Sequence, residues 1–249
     1  MPGFRAACDV WLIETSPPLR RRQAERLADA APRWANSLAD LPDDAPIFLV
    51  ANELLDCLPA RQFLRTDRGW AERVVGLGPD GGLAFGLAPT PACFADAPAG
   101  SVIERSPAQE AFASELAARI VAQGGAALLI DYGAAEPGPG DSLQALHRHQ
   151  KVDPLASPGE ADLTVHADFP AVLGAARATG ADAGLMTQGE FLARLGIDAR
   201  ASRLAEAQPT RADSIARQLE RLTAPDQMGE LFKVAGIWRG APPPAFDSA

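Results

Sequence analysis

The stretch Ala126-Ala127-Leu128-Leu129-Ile130 sets the tightest limit on the fold. Five apolar residues in a row, with no polar alternation, suit a strand buried on both faces. A helix reads directly before it. Ser106-Pro107-Ala108-Gln109 offers a cap, a proline at the first helical position and a glutamine in the capping-box position. That helix runs to about Gln123, where Gly124-Gly125 stops it. Ile47–Ala51 is a second apolar run, Val10–Ile13 a shorter one, and Phe232–Ile237 reads as a last strand. Such strands alternating with helices predict an α/β fold, with a mostly parallel sheet and helices on both faces. The helix after Val10–Ile13 starts at Ser16-Pro17-Pro18, with Leu19, Ala24 and Leu27 as its expected inner face.

Two segments depart from this pattern. Between about 61 and 100, strand-like pieces are separated by Asp-Arg-Gly and Pro-Asp-Gly-Gly, which predicts a small antiparallel insertion. Residues 134–165 are polar and rich in proline and glycine, and read as a long loop. Residues 1–240 are expected to form one domain, and 241–249 a disordered tail.

Composition narrows the function. A formal net charge of −9 opposes general nucleic-acid binding, which needs a positive field. Cys8, Cys57 and Cys93 are widely spaced, and His147, His149 and His166 lie at no ligand spacing with any cysteine pair, so no metal site is expected. No apolar run reaches membrane-spanning length and the first residues hold no signal-peptide core, so a cytoplasmic protein without membrane insertion is expected.

Three of the strands end in acids: Glu14, Asn52-Glu53 and Asp131. Sheets of this type bind ligands beyond the carboxyl ends of their strands. Asn52 reads as the cap of a short helix through Leu58, stopped by Pro59, which would set Asp56 on the same face as Glu53. Each acid also has a plainer reading, as a solvated group at a helix start or a turn. A nucleotide site in such a fold normally opens with a glycine-rich turn after the first strand, and none stands in that place, so the chain is expected to begin after the first strand of its sheet.

Taken together, WLIETSPPLRRRQ, FLVANELLDCLPARQF, VIERSPAQEAFASELAARI, GGAALLIDYG, GDSLQALHRHQKVDPLASPGEADLTVHADF, TQGEFLARLGI and MGELFKV resemble the MidA-like family of class I S-adenosylmethionine-dependent methyltransferases. The mitochondrial members of that family are complex I assembly factors that methylate a protein arginine. The resemblance implies a Rossmann-like sheet, S-adenosylmethionine as cofactor, and a protein substrate, with a respiratory complex I subunit among the implied partners. It implies that Glu14 holds the cofactor ribose with Ser16 beside it. It assigns the catalytic site to Glu53, Asn52 and Asp56. Asp131, Tyr132 and His149 fall on the substrate side, with residues 134–165 as the substrate-side loop. Arginine is a poor nucleophile while protonated, and a carboxylate such as Glu53 can orient it and take its proton. The alternative is a non-catalytic assembly or interaction protein with an incomplete cofactor site. An NAD(P)-dependent oxidoreductase is disfavoured, since the dinucleotide fingerprint is absent.

Overall fold

The computed structural model describes Gly3 and residues 6–247. Two compact units divide the chain, Met1–Pro46 and Ile47–Ala249.

In the first unit, β1 (Trp11–Ile13) leads through α1 (Pro17–Arg26) to β2 (Arg33–Ala35), and the two strands pair in parallel. Pro17 opens α1, but the Ser16 side chain makes no capping bond. Leu19 and Leu27 are exposed rather than turned inward. The Arg20 guanidinium gathers the strand ends instead. It donates to the carbonyls of Glu14 and Ala35, at 2.5 and 2.9 Å, and to Asn36 Oδ1 at 2.8 Å. Carbonyls beyond the last ladder bond need such donors.

The second unit begins with β3 (Ile47–Asn52), followed by β4 (Arg61–Thr66), β5 (Gly69–Leu77), β6 (Leu83–Pro89) and β7 (Val102–Arg105). Next come α2 (Pro107–Gln123), β8 (Gly125–Ala134), β9 (Gln144–His147), β10 (Gln150–Val152), β11 (Asp162–Thr164) and β12 (Ala167–Asp168). The chain closes with α3 (Phe169–Ala178), β13 (Asp182–Thr187), α4 (Gln188–Arg194), α5 (Ile197–Ala207), α6 (Ala212–Thr223) and β14 (Phe232–Trp238).

The apolar run that constrained the sequence lies at the centre of the main sheet. β8 pairs in parallel with β3 and, near its end, with β12; on its other side it pairs antiparallel with β14, which pairs antiparallel with β13. The close approach to β12 depends on Gly133, where a Cβ would lie 2.2 Å from the Ala167 carbonyl oxygen. Leu129, Val234 and Ile237 of the sheet, Leu116 and Ile120 of α2, and Val172 and Ala176 of α3 are all fully buried. Each buried leucine or isoleucine side chain contributes about 2 kcal/mol of apolar transfer.

β4 to β7 form a separate antiparallel sheet in the order β6-β5-β4-β7. Residues 134–165, expected as a loop, hold a small antiparallel sheet in the order β10-β9-β11. Its strands are three or four residues long and mostly polar, so no apolar period announced them. The tail also differs from expectation. Ala245 is buried, Phe246 stacks on Phe191 and Trp238, and Arg194 Nη1 donates to the Ala245 carbonyl at 2.9 Å. Gly236 and Gly184 leave the space that the Phe246 ring fills.

Two local readings are corrected. The residues after β3 form a turn, not a helix, so Asn52 caps nothing and helical spacing does not relate Glu53 to Asp56. Asp131 and Tyr132 do not end their strand, because β8 continues to Ala134.

Candidate functional site

In the first unit, Glu14 follows β1 and is half-buried. Its backbone N–H donates to the Ala35 carbonyl at 3.1 Å, which extends the β1–β2 pairing by one bond. Its Oε1 accepts the Ser16 N–H at 2.8 Å, and its Oε2 lies 3.4 Å from Gln23 Nε2. Gln23 Oε1 in turn accepts the Trp34 indole N–H at 2.9 Å. The carboxylate is thus aimed by its own unit, and it keeps acceptor capacity on Oε2, where the one contact is long. A pair of ribose hydroxyls suits that remaining capacity. Ser16 contributes a backbone donor to Glu14 rather than a side-chain bond.

The second unit carries the other acids. Glu53 stands just beyond β3 with φ +52°, the left-handed region, which costs a residue with a Cβ about 1 kcal/mol. Its side chain is exposed, and Oε1 accepts from Asn52 Nδ2 at 3.2 Å. The turn that follows is held from outside. Ile130 O accepts the Glu53 N–H at 2.9 Å. Asp131 Oδ2 accepts the N–H groups of Leu55 and Asp56, at 2.9 and 3.2 Å, across more than seventy residues of sequence. Gln109 Nε2 donates to Leu55 O at 2.8 Å, and Asp56 O accepts from Val165 N at 3.0 Å. Leu55, Asp56, Gln109 and Asp131 are all buried. A buried turn with no ladder of its own must find such partners.

Asp131 is the centre of this bracing. It is fully buried, its Oδ1 accepts the Tyr132 N–H at 2.9 Å, and its Oδ2 grips the turn. Burial, reinforced by the negative charge of Asp56, pushes its carboxyl up to about 6. Tyr132 donates its hydroxyl to Asp56 Oδ2 at 2.5 Å, and burial raises its pKa further. The Tyr132 ring meets His166 and Phe232 edge-on, at 5.5 and 5.4 Å. Burial also lowers the pKa values of His166 and Lys233. Asp56 is thus already paired with Tyr132, whereas Glu53 faces solvent with one oxygen unbonded.

His166 also lines a hollow of about 170 Å³, with Glu104, Arg105, Glu136, Ser142 and Asp168. Among the described residues, His149 is brought to the Glu53 turn by no hydrogen bond or ring contact. It sits exposed at φ +64° in the two-residue turn between β9 and β10, beside Arg148 at φ +50°. Gln109 is the residue that the sequence did not mark for the site. The capping-box spacing had suggested a side chain folded back on its own helix. In fact only its backbone N–H meets Ser106 Oγ, at 3.2 Å, and its carboxamide spans to Leu55 and to Asp168. Among the described residues no group of histidine, cysteine and carboxylate side chains could hold a metal, and no helix is long and apolar enough to cross a membrane.

Residues 1–187 match the family described as "Putative S-adenosyl-L-methionine-dependent methyltransferase", and the chain belongs to that family. More particularly, it is similar to the protein arginine methyltransferase NDUFAF7, mitochondrial. The mouse protein is 34% identical over 212 residues, covering 80% of this chain and 47% of its own, and the zebrafish protein is 30% identical, covering 92% and 60%. The chain thus spans about half the length of the curated relatives it matches. A crystal structure of a Burkholderia thailandensis protein bound to S-adenosyl-homocysteine superposes with a TM-score of 0.82 at 29% identity, covering 97% of this chain and 67% of that one. The fold is accordingly the Rossmann-like class I methyltransferase fold. The expected cytoplasmic placement is corrected, because these relatives are mitochondrial proteins by name.

Proposed function

We propose that the chain is an S-adenosylmethionine-dependent methyltransferase acting on arginine in a protein. The observation that carries this reading is Glu53, an exposed carboxylate in a left-handed conformation on a turn held by buried partners. Backbone strain retained at the rim of a sheet is found where a side chain must be aimed.

The bound cofactor supplies a methyl group on a sulfonium. Glu14 would hold its ribose, with Oε1 fixed by the Ser16 N–H and Oε2 open to a hydroxyl. Glu53 accepts N–H bonds from the substrate guanidinium, aligns one nitrogen and takes the proton that leaves it. Asn52 steadies the carboxylate through Oε1. Asp56 and Tyr132 hold each other and shape the wall behind Glu53. Asp131 braces that wall, and His149 belongs to the outer surface of the substrate-side segment. Following the family resemblance, the acceptor is an arginine in a subunit of respiratory complex I.

Tritium-labelled S-adenosylmethionine and a complex I preparation provide the test. The expected outcome is label recovered as methylarginine, with Glu53→Gln lowering transfer at least 100-fold and cofactor affinity less than threefold. Labelled lysine or carboxylate in place of arginine, or unchanged turnover in Glu53→Gln, overturns the reading.

A further inference from the structure

Gln109 has no part in the proposed chemistry, yet its side chain is fully buried and makes two long-range bonds. Nε2 donates to Leu55 O at 2.8 Å, 54 residues away. Oε1 accepts the Asp168 N–H at 2.9 Å, 59 residues away. Asp168 caps α3 through Ala171 N and pairs with Arg105 on the wall of the hollow. One carboxamide thus joins the Glu53 turn to the start of α3.

Only a side chain that donates and accepts at once can do this. A helix cap would not require it, since Ser106 Oγ already takes the Gln109 N–H and the carboxamide bonds to Leu55 and Asp168 instead. Removing the donor leaves Leu55 O with only the Leu58 N–H of the same turn, at 3.1 Å, and takes away the one bond that ties the turn to α2, while Asp131, Ile130 and Val165 still hold its other groups. The left-handed conformation of Glu53 is strained for a residue with a Cβ, so it relaxes when the turn loosens.

We infer that Gln109 is a positioning residue for Glu53, fixing the turn that presents the carboxylate and linking it to the N-terminus of α3. The inference rests on the catalytic role proposed for Glu53, and one arm of its test does not depend on that role. Gln109→Met matches the side chain in length and lacks both polar groups. Leu116→Ala, on the same helix and away from the turn, is the control for lost stability. Amide hydrogen exchange read at Glu53, Leu55 and Asp56 is expected to accelerate at least tenfold in Gln109→Met. The amides of Ala127 and Leu129 should change only with global stability. In kinetics, kcat is expected to fall tenfold or more while the KM for S-adenosylmethionine moves less than twofold, and Leu116→Ala keeps its kcat per folded molecule. Turn amides as protected as in the wild type, or an equal loss of kcat in Leu116→Ala, overturns the inference. A wild-type protein that transfers no methyl group removes the proposed function, and the exchange arm still decides whether Gln109 holds the turn. Should Gln109→Met fail to fold, the near-isosteric Gln109→Glu, which loses the amide donor when ionised, is read on the same arms.

Discussion

Glu14 and Glu53 look alike in the sequence, each an acid at the end of an apolar strand, but the molecule holds them differently. The partners of Glu14 lie two and nine residues away, on the turn and helix that follow it. Glu53 stands at φ +52° on a turn whose partners, Asp131 and Gln109, lie on other elements and are completely buried. The first acid is aimed mainly by the turn and helix that follow it, with Trp34 of the neighbouring β2 holding Gln23. The second is aimed only when the main sheet and α2 have come together. Position at Glu53 is therefore coupled to distant elements of the second unit, and position at Glu14 to the few neighbours of its own unit.

The strongest test of this contrast is Asp131→Leu. It deprives three backbone N–H groups of their acceptor, two of them in the buried turn. A loss of about 3 kcal/mol is expected, since each buried orphan donor costs roughly 1–3 kcal/mol. Thermal melting should shift down by roughly 6–12 °C. Glu14→Leu should lower stability by less than about 1 kcal/mol, because Ser16 N–H and Gln23 can turn to water. Equal losses in the two variants would remove the distinction.

The pH dependence of stability sharpens it further. Asp131 has its carboxyl raised from 3.8 to about 6 in the folded state, by burial first and by Asp56 second. The folded protein therefore binds this proton more tightly than the unfolded chain does. Its contribution is fully present below about pH 4 and is lost as pH rises through about 6. Between pH 7 and pH 4.5 the wild type should gain about 2 kcal/mol from this one group, and Asp131→Asn should not. Urea unfolding of both proteins at the two pH values measures the difference. A gap that stays constant with pH would show that Asp131 ionises normally in its buried position.

The legibility of the sequence divides along the same line. Ala126–Ile130 and Ile47–Ala51 were readable as strands because an unbroken apolar run is a local strand signal, but the burial it suggests fails in the second run, where Phe48 and Val50 are exposed. Glu14 was readable as a placed acid because its helix start followed at once. The turn after β3 was misread as a helix because Asn52 and Pro59 are local start and stop signals. The groups that decide its conformation, Asp131 and Gln109, lie 54 to 76 residues further on. Gln109 fitted a capping box by spacing, and nothing linear says that its carboxamide leaves the helix. The strands between Gln144 and Thr164 escaped for a related reason, since each is short and its partners are the only sign of it.

A smaller effect is expected at Tyr132→Phe, which removes the hydroxyl that Asp56 accepts and leaves that buried carboxylate one donor short. About 1.5 kcal/mol should be lost, the usual size for a hydrogen bond to a charged acceptor. The aromatic contacts with His166 and Phe232 persist in phenylalanine, so near-ultraviolet dichroism should lose the band of this one tyrosine and keep its tryptophan bands. A loss above about 3 kcal/mol would mean that the ring had moved, and that the wall behind Glu53 depends on more than this one bond.

The smallest effect has the opposite sign. Glu53→Gly should stabilise the second unit by about 0.5–1 kcal/mol, because glycine adopts φ +52° without the Cβ clash. Part of that gain is offset by the greater backbone freedom of glycine in the unfolded chain. Glu53→Gln keeps the Cβ, so it should melt with the wild type. If the glutamine variant also gains stability, the strain lies in the carboxylate and its neighbours rather than in the backbone. If glycine gains and glutamine does not, the molecule carries a side chain where its backbone would be better served without one. Stability does not account for such a residue, and the carboxylate is then what the position supplies.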